Sequence, residues 1–269
     1  MSVTINSNVV GLDGMIPRII DREREDEDVE RLVPWVFQHS DIVDEDRILC
    51  GPKEDCKFGS VFYYLLSYRC NLQGNAFDDT GISNVFVPSE TITLPRKSWH
   101  IPGREPSKYL IHDQCTISKM LIETIYVNLS NVKEQDPKVE FTTHGHELRY
   151  TIGGQTWNGL LRETFSTMLG QLTKNLSILD TGFQDQEVFI VGFHGPYLHI
   201  ARGFFAKDLI SRVYAQGHFD QEPVSLQFTR SYNLFLKEDW LEVTRVLTRL
   251  LRYLLSGKSK VGVVQKHVK

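Results

Sequence analysis

The chain has 269 residues, of which 41% are apolar and 24% charged, with a formal net charge of −4. That composition supplies a packed core and argues against global disorder, and the acidic balance argues against a strongly basic nucleic-acid coat while leaving room for a local basic groove. The four cysteines, Cys50, Cys56, Cys70 and Cys115, show no C-x-x-C spacing and do not form a disulfide framework in a chain this long, and no apolar run approaches the ~18 residues of a membrane span.

The opening MSVTINSNVVGLDG lacks the basic flank and apolar run of a secretory signal, so cytoplasm or nucleus is the expected location. Residues 1–20 read as a poorly structured leader or an edge strand. DREREDEDVERL, Asp21 to Leu32, reads as a charge-dense helix with a solvated face, ended or kinked by Pro34. Phe58 to Cys70 reads as a buried helix carrying Phe58, Phe62, Leu65 and Leu66 on one side. Two short strands are expected at 84–87 and 90–94 within a turn-rich stretch. PRKSWHIPGREPSKY, Pro95 to Tyr109, is a basic loop in which Arg96, Lys97, Trp99 and Arg104 supply charges for phosphates and a ring for a base.

From Cys115 the pattern becomes regular. Ile117, Leu121, Ile125 and Leu129 mark one helix, and Trp157, Leu161, Phe165, Met168, Leu172 and Leu176 mark the best amphipathic one, with Gly182 placed to end it. EVFIVGFHGPYLHIAR then gives two strands about a Gly195-Pro196 turn, the first apolar on both faces. Val224 to Phe228 alternates like a half-buried strand. Glu238 to Leu255 is a long helix whose Arg245, Arg249 and Arg252 line one side, available to nucleic acid or an acidic partner or else solvated. The basic tail KSKVGVVQKHVK is expected to be mobile. The expected fold class is α+β or α/β: a mixed central sheet flanked by helices, with a helical and loop-rich N-terminal part. The expected division is an extension over 1–110, a core over 111–256 and a tail over 257–269.

Between the first two helices of that core, TTHGHELRYTIGG reads as a hairpin turning at His144-Gly145. Val139, Phe141, Leu148, Tyr150 and Ile152 fall on one face, and Glu140, Thr142, Glu147, Arg149 and Thr151 on the other. Glu140 opposite Arg149 makes a cross-strand ion pair worth about 0.2–1 kcal/mol. The same polar face, with Asp136 just before the first strand, has the carboxylates that could hold Mg²⁺ and activate water for phosphodiester cleavage.

The order of helix, hairpin with D…E-x-[K], helix and strand resembles the PD-(D/E)XK nuclease-like superfamily. ETFSTMLGQL, EVFIVGF and DWLEVTRVLTRLLRYL are similar in tone to nuclease-like domains common in fungal proteins, and the likeness spans roughly residues 115–256. It implies Asp136 and Glu147 as metal ligands, Arg149 where the family has lysine, and Glu123 as an additional acid. Asp136 precedes its proline where the family's follows it, and arginine cannot take over the lysine's proton handling. The expected function is therefore a non-catalytic interaction or scaffold module on a nuclease-like fold, joined to a protein partner or a second copy, with nucleic acid as a further candidate partner. The alternative is a Mg²⁺-dependent nuclease. His144-x-His146 does not place two ligands on one strand face, and GKS at 257–259 lacks the upstream glycine of a phosphate-binding loop. Aromatic residues left exposed, among Tyr63, Tyr64, Phe204, Phe205 and Tyr232, would favour a protein interface.

Overall fold

A computed structural model of the chain describes residues 2–43, 57–72, 87–94, 108–129, 157–178, 182–194, 196–216 and 222–261. In chain order the elements are β1 (Ser2–Val9), α1 (Leu12–Met15), α2 (Arg22–Arg31), α3 (Trp35–His39), α4 (Gly59–Leu72), β2 (Ser89–Thr93), α5 (Lys108–Asn128) and α6 (Trp157–Ile178). They continue with β3 (Gln186–His194), β4 (Tyr197–Phe205), α7 (Lys207–Gln216), β5 (Val224–Phe228), β6 (Tyr232–Asn233) and α8 (Lys237–Leu255).

The strands form one mixed sheet in the order β2-β1-β5-β4-β3, with β6 added to β4. β1 and β5 run parallel, from Ile5 opposite Val224 to Val9 opposite Phe228, and the other pairings are antiparallel. The expected mixed sheet flanked by helices is present. Its N-terminal strand corrects an expectation: residues 2–9 are neither a loose leader nor a sheet edge, but lie between β2 and β5. The sheet and the larger apolar cluster, which runs from Met15 to Leu255, both draw on either side of the expected boundary at residue 110.

Alternation sorts the sheet into two layers. On one face Val3, Ile5, Ile92, Val188, Ala201, Leu226 and Phe228 pack beneath α6 and α7, where the predicted stripe of Trp157, Leu161, Phe165, Met168 and Leu172 is buried. On the other, Phe193, Leu198 and Ile200 meet α1, α3, α4, α5 and α8. The centre of that layer is aromatic: the Trp240 ring lies 4.8 Å from Phe62, 5.0 Å from Phe58 and 5.8 Å from Phe37. Burying each such side chain contributes roughly 1.5–3 kcal/mol.

The helical layer stops short of β2, β1 and β5. Ser2, Thr4, Asn6 and Asn8, Ser89, Thr91 and Thr93, and Ser225 and Gln227 make a face that is wholly or partly open to solvent, with no charged side chain among them. Thr4 and Thr91 hydrogen-bond across it at 3.1 Å. Parallel pairs such as β1–β5 are ordinarily covered on both faces, so this half-open arrangement is a local departure.

Candidate functional site

Asp136, Glu147 and Arg149, with the rest of the expected hairpin, lie outside the described residues, as do Arg96, Lys97, Trp99 and Arg104. Glu123 is placed on α5, half-exposed, with Lys119 one turn away at 3.7 Å. Among the described residues no cluster of three or more His, Cys, Asp or Glu is arranged to hold a metal ion.

The arginines of α8 are not offered to solvent. Arg249, 4% exposed, holds both oxygens of Glu25, 2% exposed, through hydrogen bonds of 2.8 and 2.9 Å, and donates to Asp13 at 2.6 Å. Arg252 pairs with the buried Asp28, which Arg31 also grips, and the half-exposed Arg245 reaches Asp26 at 2.6 Å. Both expectations for this stripe, a nucleic-acid contact and a solvated face, are corrected for Arg249 and Arg252. Their charge is answered by α2, whose own acids turn inward for the same reason: a buried guanidinium is tolerated only beside a carboxylate.

A second buried pair crosses the sheet. Glu187 on β3, 3% exposed, is paired with Arg202 on β4, diagonal to it and two residues from the directly opposed Phe204. The Glu187 carboxylate also accepts from the Tyr253 hydroxyl at 2.7 Å and from the Lys260 N–H at 3.1 Å. Arg202 donates further to the Met15 carbonyl at 3.0 Å and to Gln227 at 3.2 Å. Burial alone would raise the Glu187 carboxyl, but the hydrogen bonds from Tyr253, Arg202 and Lys260 outweigh it and hold it below the usual carboxylate range. Burial, reinforced by Glu187, pushes the Tyr253 phenol upward, so it remains the donor. β3, β4, α1, α8 and the segment after α8 thus meet at one ion pair.

That segment is anchored, where the sequence suggested a tail mobile from its start. Gly257, at φ +72°, reverses the chain, Ser259 is fully buried, and Lys260 accepts from the Glu187 N–H at 2.9 Å. The Lys260 ammonium lies 3.0 Å from Asp185 and 5.3 Å from the centre of the Phe204 ring. Asp185 also accepts from the first N–H of α7, at Lys207, and that bond followed by Lys260 holds its carboxyl low.

Exposed rings lie at the end of the sheet where β3 begins and β4 ends, Phe204 on the face that carries α8 and Tyr214 on α7 against the other face. Phe204 is 45% exposed, Phe183 38% and Tyr214 on α7 71%, and the last two rings stand 5.5 Å apart. Of the aromatic residues singled out in the sequence, Tyr63 and Phe204 are exposed, whereas Phe205 and Tyr232 are core. For Phe183 and Tyr214 the sequence carries no signal apart from the Leu209, Ile210 and Val213 spacing of α7, a helix that is not among the expected elements. His199 is buried against Gly192, where a Cβ would collide with its ring. No family model, no curated protein and no solved structure matches this chain.

Proposed function

We propose that this chain is a non-catalytic interaction module built on a nuclease-like fold, joined to another protein through exposed rings at one end of the sheet, the Phe183–Tyr214 pair and Phe204. The observation that carries the reading is the exposure of these three rings, Phe204 beside Lys260 and Phe183 against Tyr214. Exposed rings cost solvation free energy and are enriched where proteins meet. Three partly exposed rings offer on the order of a few hundred Å², short of the ~800 Å² per partner of a standard stable interface, so the partner must use further contacts beside them. The buried charges support the same reading, because Glu25, Asp28 and Glu187 are each occupied by arginine. The nuclease-like part of the proposal rests on the α6, β3 and α8 segments that carried the resemblance.

The test is affinity capture from source extract with the unaltered chain and with a Phe204→Ser/Tyr214→Ser variant, beside light scattering of the purified protein. Capture of a partner that disappears in the folded variant is expected. A variant that captures the same proteins as the unaltered chain would overturn the reading, and a dimer that survives the variant would replace it with a different interface. Mg²⁺-dependent cutting of DNA or RNA, abolished by Glu147→Ala, would instead establish the nuclease alternative.

A further inference from the structure

The segment Gly257–Lys260 has all the connections of a clip. Its turn is set by a glycine at φ +72°, a region that other L-residues rarely adopt because their Cβ crowds the backbone. Ser259 fills a fully buried position and its hydroxyl donates to the Leu254 carbonyl at 3.3 Å. Lys260 then uses every polar group it has on one short stretch, 185–187. Its N–H goes to the Glu187 carboxylate, its carbonyl takes the Glu187 N–H, and its ammonium meets Asp185. The same ammonium stands over the Phe204 ring, the position a partner's apolar side chain or cation would have to take.

We infer that Gly257–Lys260 is a clip that regulates the exposed Phe204 ring, with Lys260 covering one face of it when closed and freeing it when the clip lifts from Glu187. This rests on the interaction reading above and adds its control. The clip is separable from the buried hub, because Tyr253 and Arg202 hold Glu187 independently of Lys260. Asp185 and Lys260 are both partly exposed, so the outer half of the clip is open to competition by ions and by charged groups of a partner.

Two variants test it without touching Glu187. Gly257→Ala strains the turn, and hydrogen exchange at the Glu187 amide, which donates to Lys260, is expected to accelerate about five-fold or more, with trypsin cleavage after Lys258 rising in step. Lys260→Ala uncovers the ring, and binding of the neutral apolar dye Nile red is expected to tighten about two- to five-fold and to fall back when Phe204→Ser is added. An unchanged Glu187 amide in Gly257→Ala, or Nile red binding that ignores Lys260, overturns the clip. Capture unaffected by Phe204→Ser/Tyr214→Ser while both clip readouts respond would sink the interaction reading alone.

Discussion

Glu187 shows how much one side chain can carry. It is buried, ionised and held by three donors from three parts of the chain, so removing it strands Arg202. Glu187→Ala is expected to cost about 3–5 kcal/mol in urea unfolding, and Tyr253→Phe, which deletes one hydrogen bond to a charged group, about 1.5–3 kcal/mol. A loss under 1 kcal/mol in both would show the hub to be dispensable. Thr244 and Thr248 lie at the opposite extreme, fully buried with hydroxyls that have no hydrogen-bond partner among the described residues. Thr244→Val and Thr248→Val are expected to leave the unfolding midpoint unchanged or raise it. The Glu187–Arg202 pair was legible in principle. A turn at Gly195-Pro196 puts Glu187 opposite Phe204 and Arg202 opposite Phe189, on one face and diagonal to each other. Tyr253 and Lys260 were not, because nothing local ties α8 to β3.

At the scale of elements, α2 is the instructive case. Nine of its ten residues are charged and Val29 alone is apolar, a composition that reads as solvent-facing, yet Glu25, Asp28 and Val29 are buried. What overrides the composition is α8, whose Arg249 and Arg252 sit where α2 docks, and no local pattern joins segments 224 residues apart. The docking is specific in a way apolar packing is not. Arg249→Met is expected to cost several kcal/mol because Glu25 remains buried beside the more exposed Arg18, whereas Glu25→Met/Arg249→Met is expected to recover most of the loss. A double variant as unstable as the single one in urea melts would mean the pair contributes more than charge compensation. α5, α6 and α8 behaved as their spacing required, since an apolar stripe of period 3.6 needs only a surface to cover, whichever surface it is.

For the whole molecule, acid should act through a small set of carboxylates. Glu187, Asp185 and Asp13 titrate below their ordinary values in the fold, the last through its hydrogen bond from Arg249. A depressed folded value contributes stability above the unfolded one, near pH 4, and that stability is lost as pH falls through the folded value. Unfolding midpoints are therefore expected to hold from neutral pH to about 4 and to decline below it; a decline beginning near pH 6 would point to histidine instead. Tyr253, shifted upward, adds the mirror effect, with stability falling above about pH 10. The mixed sheet with helices on its faces was legible as a class from the alternation of β3, β4 and β5 with long helices. The strand order was not. β1 joins β5 by side-chain burial of Val3, Ile5, Val224 and Leu226 in a common core, a relation between distant apolar residues that any strand of similar character would satisfy equally well.

That parallel pairing of β1 with β5 bears on how the chain is made. β1 leaves the ribosome more than two hundred residues ahead of β5. At roughly 5–20 residues per second, β1 waits on the order of 10–40 s with one edge unmatched, even after β2 has emerged to pair with the other. Val3 and Ile5 are then apolar strand residues without their final cover, and the polar row of Thr4, Asn6 and Asn8 on the reverse side keeps the nascent strand wettable until Val224–Phe228 arrives to close the sheet.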